Sequence, residues 1–478
     1  MDYLTCGHEQ LNAVIGAIQL FFPNEKYKRL ESGELSRRYL LSVFENNMVK
    51  AGFFVNGEMV AEESVPLEDN DIAHSVKLCI YRMFSKMTGR ELPWGILTGI
   101  RPAKIVSGLL ESGMSGDEAT DILCKKYLAT PEKAALSLQV ALTEQKILEE
   151  SRLDNYSMYV GIPFCPSRCL YCSFTSYPIE KYEYLVYEYV NRMNLEMDHA
   201  AQTFEGKTLE TLYIGGGTPT SIDDRSFEEL LKSLNEKFDI AGLREFTVEA
   251  GRPDTITENK LDIMKRYGVS RISINTQTIN DKTLEIIGRK HSAQDFLDAF
   301  KLARIKGFDH INIDVILGLD GENCDDVINT FDAICALQPE EITVHTLAIK
   351  RASRLKEELT ERNLAEADLM EALLGISKSY MDNFAYKPYY MYRQKNMLGN
   401  FENVGYGKGN NFGIYNVAIM EEQQSIIAIG AGSVSKFVNN ATGRIERSFN
   451  LKNIDEYMQR TAEMLQRKDS ALNKAFER

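Results

Sequence analysis

No apolar run in the 478 residues approaches the ~20 that a membrane-spanning helix requires. The chain does not open on a basic stretch followed by an apolar one, so no secretory signal is expected and the reading is of a cytoplasmic protein. Basic excess is missing too: 55 Lys and Arg stand against 69 Asp and Glu, a net charge of −14. That balance argues against nucleic-acid binding, whose affinity rests on basic surface, and an acidic substrate would need local counter-charges. There is one tryptophan. What remains is an ordinary globular composition, with length for two or three domains and a large core.

Cysteine is present, and unevenly. Three of the eight fall in Tyr159-Val160-Gly161-Ile162-Pro163-Phe164-Cys165-Pro166-Ser167-Arg168-Cys169-Leu170-Tyr171-Cys172, spaced C-x3-C-x2-C after an apolar run that reads as a strand. Thiols so concentrated in a cytoplasmic chain point to metal rather than disulfides. Three ligands suit a cubane iron–sulfur cluster with one iron left open. A structural zinc site asks for four closed ligands, and no Cys or His follows at that spacing; three inert core cysteines are the plain alternative. Cys6, Cys79, Cys124, Cys324 and Cys335 are scattered, and read as small buried hydrophobes.

Residues 1–152 are expected to form an α+β domain. Asn56-Gly57 between apolar runs signals a hairpin with a type I′ turn. Asn70 and Asp71 open a helix with Ile72, Val76, Cys79, Ile80, Met83 and Phe84 on one face, and Gly89 ends it. The loop Leu92–Lys104, holding Trp94 and Arg101, reads as a docking turn or a substrate contact.

From 153 to 350 short β-rich runs alternate with helices: 156–164, 210–214, 244–250, 270–275, 310–317 and 341–347. This pattern predicts a parallel sheet closed into an incomplete (β/α)6 barrel, with the chemistry at the C-terminal strand ends. The cysteines follow the first strand. Gly215-Gly216-Gly217-Thr218-Pro219-Thr220 follows the second, without Rossmann or P-loop spacing. Glu249 ends the third, Asn275-Thr276-Gln277 the fourth, and Asp314 lies in the fifth. Polar groups at one end of an apolar barrel ask for partners or a ligand with amino, carboxylate, ribose and adenine groups; single ones could equally cap helices. Residues 351–478 are expected as a third domain, with Leu355, Leu359, Leu364, Leu369 and Leu373 packing on the barrel. Tyr389–Lys408 would line a tetrapyrrole pocket or pack as core, Ile426–Ser433 would form a strand entering a glycine turn, and the charged last helix would be peripheral.

The cysteine spacing, the aromatic before the last cysteine and the Gly-Gly-Gly-Thr-Pro run resemble the radical S-adenosylmethionine (SAM) superfamily. Arg271–Gln277, Ile287–His291 and Asn312–Leu319 resemble the oxygen-independent coproporphyrinogen III oxidase group (HemN, HemZ and the haem chaperone HemW) over roughly residues 155–450. The leading domain and Tyr392-Arg393-Gln394-Lys395-Asn396-Met397 resemble the HemZ branch in particular. The resemblance implies that Cys165, Cys169 and Cys172 ligate a [4Fe–4S] cluster, with Tyr171 against the cofactor pocket. Tyr159 would flank SAM and, with Glu249, serve catalysis. Gly216, Gly217 and Thr218 would meet the SAM amino group and Glu249 its ribose or methionine end. Gln277, Arg289 and Asp314 match positions for a second SAM, and Ala348 would line the adenine site. The implied activity is decarboxylation of coproporphyrinogen III to protoporphyrinogen IX, with flavodoxin or ferredoxin as electron donor and the chain a monomer; the alternatives are a haem chaperone of the HemW type that does not decarboxylate and a radical SAM enzyme acting on another tetrapyrrole. Arg168, Lys350, Arg351, Arg393 and Lys395 are candidates for the substrate carboxylates. Two departures stand out. The oxidase carries a cysteine two residues after the third, where this chain has Phe174 and where HemW also lacks one. HemW carries a His-Asn pair where this chain reads Ile414-Tyr415-Asn416-Val417.

Overall fold

A computed structural model of the chain describes residues 1–23, 25–31, 34, 36–99, 101–152, 154–349, 353–357, 367–394 and 400–477. Contacts divide it into two units: Met1–Gln139 with Arg393–Asn396, and Val140–Tyr392 with Met397–Arg478.

The first unit holds a five-stranded sheet whose Met48–Val55 and Glu58–Pro66 strands turn at Asn56 and Gly57, with φ of 53° and 86°. The type I′ hairpin is present because both residues tolerate the left-handed region that the turn demands. Helix Ile72–Thr88 starts where the Asp71 side chain accepts from the His74 amide and stops at Gly89, φ 68°. Its Val76, Cys79, Ile80, Met83 and Phe84 face joins Val14, Ile18 and Phe53 in one core. Trp94 is fully buried, and the Arg393 guanidinium lies 5.3 Å from its ring and donates to the Leu97 carbonyl at 2.7 Å.

The second unit is built on six parallel strands, Tyr156–Ile162, Leu209–Gly216, Glu245–Glu249, Arg271–Ser273, Ile311–Leu317 and Glu341–Thr346, adjacent in chain order. Helices Ile179–Thr203, Asp224–Lys237, Glu258–Arg266, Ala293–Ile305 and Cys324–Ala336 make the crossovers. This is the expected partial (β/α) barrel. Its sheet continues past the sixth strand into antiparallel Asn403–Lys408 and Tyr386–Tyr392. On the other side Ser425–Ile429 runs parallel to the first strand and enters a turn at Gly430, φ 98°, where a Cβ would sit 2.3 Å from the Gly161 carbonyl. Tyr389 and Tyr390 of the aromatic stretch are core residues. Leu359, Leu364, Lys350, Arg351 and Lys395 lie outside the described residues.

The last helix, Thr461–Phe476, differs from expectation: Lys468 is 2% exposed and pairs with Glu196, itself 1% exposed. Glu196 also accepts from the Gly430 amide at 2.7 Å, Tyr457 Oη at 2.5 Å and Asn450 Nδ2 at 2.8 Å. A charged helix whose lysine completes a buried carboxylate's shell is a structural tie, which charge content alone conceals.

Candidate active site

In the barrel strands buried almost throughout, the positions left half-open are telling: Tyr159 in the first, Tyr213 in the second, Glu249 in the third, Asp314 in the fifth and His345 in the sixth. Register brings Tyr159 level with Tyr213, and Gly215 with Gly161. These side chains interact across the barrel. Tyr213 Oη donates to Glu249 Oε1 at 2.5 Å, and the Tyr213 ring stacks on Tyr415 at 4.6 Å, with Tyr159 at 6.2 Å on roughly parallel planes. Burial, reinforced by the Asp314 charge, pushes the Glu249 carboxyl up to about 7 against the Tyr213 bond. Burial and the Glu249 charge likewise push the Tyr159 phenol up. Asp314 goes the other way. Burial opposes its ionisation, but His345 and the Asn312 amide outweigh burial and hold its carboxyl low. Asn312 Nδ2 donates to Asp314 Oδ1 at 2.8 Å, His345 Nε2 lies 3.7 Å from Oδ2, and Tyr392 Oη sits 3.4 Å from His345 Nδ1.

The cysteine loop lies over the C-terminal ends of these strands. Leu170 and Tyr171 pack with Leu284, Ile287, Ile316, Leu319 and Leu347. The Leu170 amide donates to the Ile287 carbonyl at 3.0 Å, Ser167 Oγ to the Gly288 carbonyl at 2.9 Å and Arg252 Nη1 to Ser167 Oγ at 2.7 Å. Cys165 and Cys169 are buried and Cys172 partly so. Burial, aided by the charges of Cys172 and Cys169, pushes the Cys165 thiol up to about 12 against the bond from Thr218.

The glycine run fits closely beneath. A Cβ on Gly217 would lie 2.5 Å from the Phe164 carbonyl and 2.8 Å from Cys165 Sγ, and one on Gly215 would lie 2.8 Å from Glu249 Oε2. The Gly217 and Thr218 amides donate to the Ile162 and Phe164 carbonyls at 2.8 and 2.7 Å, which ties the glycine run to the strand that leads into the cysteine loop. Gln277 has φ 72°, is 5% exposed, and its Oε1 has no hydrogen-bond partner; Arg289 Nε is likewise unpartnered. Strain and orphaned polar atoms at strand ends mark a place where a ligand completes the structure. Ala348 is buried just beyond the sixth strand.

The opposite end of the barrel behaves differently. Arg271, first in its strand, lies between Glu245 and Glu341, with His310 Nε2 3.2 Å from Glu341 and Tyr389 Oη donating to it at 3.1 Å. That group is self-satisfied and reads as stability, whereas Gln277 and Arg289, each with an orphaned polar atom, lie at the cysteine end.

The donor set suits a thiolate-held cluster. Among the described residues no three of His, Cys, Asp and Glu converge tightly enough for a single metal ion. A cluster asks instead for one thiolate per iron, and three thiols on one anchored loop can supply that for three irons. The lumen's two carboxylates suit an ammonium or ribose hydroxyls. Sequence reasoning did not single out Tyr213, His345 or Arg252, and it marked Tyr415 only as a departure from HemW. The first two share the inward strand phase of Tyr159 and Asp314 and could have been found by period two. Arg252 sits in the loop after Glu249, and Tyr415 reaches the lumen from a later helix, Ile414–Glu421, a place that its sequence context does not signal.

A profile of the radical SAM superfamily matches residues 159–334. The oxygen-independent coproporphyrinogen-III oxidase-like protein HemZ of Bacillus subtilis (strain 168) is 37% identical over 431 residues, 89% of this chain and 85% of its own. The heme chaperone HemW of the same organism is 36% identical over 195 residues, 41% of this chain and 51% of its own, so that match spans about half of HemW. The solved coproporphyrinogen III oxidase HemN from Escherichia coli superposes with a TM-score of 0.51 at 20% identity over 68% of this chain and 73% of its own, a likeness of fold.

Proposed function

The chain belongs to the radical SAM superfamily, in the group that contains HemN, HemZ and HemW, and from that premise we propose that it decarboxylates coproporphyrinogen III to protoporphyrinogen IX without oxygen. Members of the superfamily use a [4Fe–4S] cluster and SAM. The observation that carries the reading is the convergence of the cysteine loop, the glycine run and Glu249 over a tyrosine-lined lumen.

Cys165, Cys169 and Cys172 would hold the cluster. The carbonyls of Gly216 and Gly217, with Thr218, would hold the amino group of SAM, and Glu249 its ribose or methionine end. When bound, cluster and SAM together supply one-electron cleavage of SAM and removal of a hydrogen atom from the substrate. The chain's own residues orient and enclose. Tyr213 aims the Glu249 carboxyl through its 2.5 Å bond. The Tyr159, Tyr213 and Tyr415 rings line the lumen beside it and keep water from the reacting carbon. Gln277, Arg289 and Asp314 are the positions for a second SAM, and Ala348 an adenine contact. Of the candidate substrate cations, Arg168 lies in the cysteine loop itself.

The relatives' names and the aromatic lumen support a tetrapyrrole substrate. The haem-chaperone reading is disfavoured by Tyr415 and Asn416. Tyr415 stacks on Tyr213 in the lumen, and Asn416 Nδ2 donates to Tyr389 Oη at 3.1 Å. An anaerobic incubation with coproporphyrinogen, SAM and a one-electron reductant is the test, with protoporphyrinogen and 5′-deoxyadenosine expected. Methionine release with no loss of carbon dioxide would reject decarboxylation. Tight haem uptake by cluster-free protein would favour the chaperone instead.

A further inference from the structure

Arg289 differs from the other buried arginines of the barrel. Arg252 faces Asp254 through two bonds of 2.9 Å, and Arg271 lies between two glutamates. Among the described residues Arg289, 9% exposed, pairs with no carboxylate: Nη1 donates to the Asn275 carbonyl and, at 3.5 Å, to that of Gly251, Nη2 donates to Tyr171 Oη at 3.3 Å, and the guanidinium also interacts with Cys169. Its Nε has no partner. The adjoining His291 adds no charge, since burial, then Arg289 itself, push its imidazole down to about 4. A guanidinium taken out of water costs several kcal/mol unless an anion faces it, and Cys169 of the cysteine loop is a group beside it that can carry that charge. Tyr171, its partner, stands between Cys169 and Cys172. The segment that carries Arg289 also holds the loop's backbone, through Leu170 to Ile287 and Ser167 to Gly288. Cation and sulfurs are thus fixed to one another by short, local connections.

We propose that Arg289 is a positioning residue for the cysteine loop and the fixed counter-cation of the cluster it holds, raising the reduction potential of that centre. The inference rests on the radical SAM reading of the three cysteines. Reduction adds one electron, from an external one-electron donor, to a centre already anionic, and no bond forms or breaks. A fixed positive charge in a poorly screened interior favours the reduced form more than the oxidised one. The bond to Tyr171 contributes separately, by keeping Cys169 and Cys172 turned toward the same volume.

The test is a redox titration of the anaerobically reconstituted full chain, followed by electron paramagnetic resonance without SAM, so that contacts of Arg289 to SAM do not enter. Arg289→Gln should lower the midpoint so that at a fixed potential the oxidised-to-reduced ratio rises at least tenfold, about 59 mV for one electron. Arg289→Lys, which keeps the charge, should recover most of that shift. Tyr171→Phe should leave the midpoint near wild type while lowering iron retained after gel filtration. A fully loaded Arg289→Gln with an unshifted midpoint would overturn the counter-cation role. If neither Arg289 variant retains iron, hydrogen exchange at the Leu170 amide of cluster-free protein decides: faster exchange than wild type supports positioning, and equal exchange overturns it. Wild-type protein that takes up no iron or sulfide would overturn the family reading of the cysteines instead.

Discussion

Glu249 is the residue whose surroundings most alter its chemistry. Its carboxyl is raised from 4.5 to about 7, chiefly by burial, so the fold tolerates the neutral form better than the charged one. Between those values the unfolded chain releases the proton while the folded chain keeps it, and stability falls as pH rises through that window. Cluster-free wild type should lose on the order of 2 kcal/mol relative to Glu249→Gln between pH 4.5 and 7, read by denaturant unfolding at each pH. A difference that is flat across that range would contradict the burial argument. Gly217 makes a second residue-scale case. A methyl group 2.5 Å from the Phe164 carbonyl and 2.8 Å from Cys165 Sγ has no room, and the rigid neighbour is backbone. Gly217→Ala should therefore displace the first thiolate and reduce iron content after reconstitution severalfold, with the circular dichroism of the fold retained.

Elements were legible where their ends carry specific chemistry. Asp71 and Gly89 bracket helix Ile72–Thr88 as the capping preferences require, and Asn56-Gly57 makes its turn. A second turn of the same kind, Asn46-Asn47 with φ of 51° and 57°, joins Arg38–Glu45 to Met48–Val55. It was not read from sequence, because asparagine signals the left-handed region less strongly than glycine. The last helix shows the opposite failure: its charged composition suggests an exposed element, yet Lys468 points inward to Glu196. Lys468→Ala leaves a buried carboxylate without its cation, and should cost about 3–5 kcal/mol in denaturant unfolding. Loss below 1 kcal/mol would mean that the Gly430, Tyr457 and Asn450 donors suffice alone.

Across the whole molecule the cofactor site and the stability of the barrel unit should be linked. A ligand that binds only the folded state adds about 2.7 kcal/mol at one hundred times its dissociation constant. Reconstituted wild type should gain that much from SAM, whereas Cys169→Ala should gain little and should cleave no SAM, because a cluster left with two protein thiolates does not persist. A Cys169→Ala protein equally stabilised by SAM, or active, would contradict the ligand assignment.

The alternation of apolar runs and helices determined the order and direction of the six barrel strands, because a parallel sheet buried on both faces leaves few other arrangements. The cysteine spacing, glycine run and strand-end polar residues marked which end of that barrel is chemical. Register and distance belong to the folded state. Only there does Tyr213 meet Glu249, does His345 meet Asp314, and does Tyr415 arrive from a helix some 200 residues later to stack on Tyr213. Only there does Arg289 come to rest on Tyr171. Local periodicity fixes which face a side chain takes; which neighbour it finds, and so its charge and its pKa, depends on chain segments that meet only when the barrel forms.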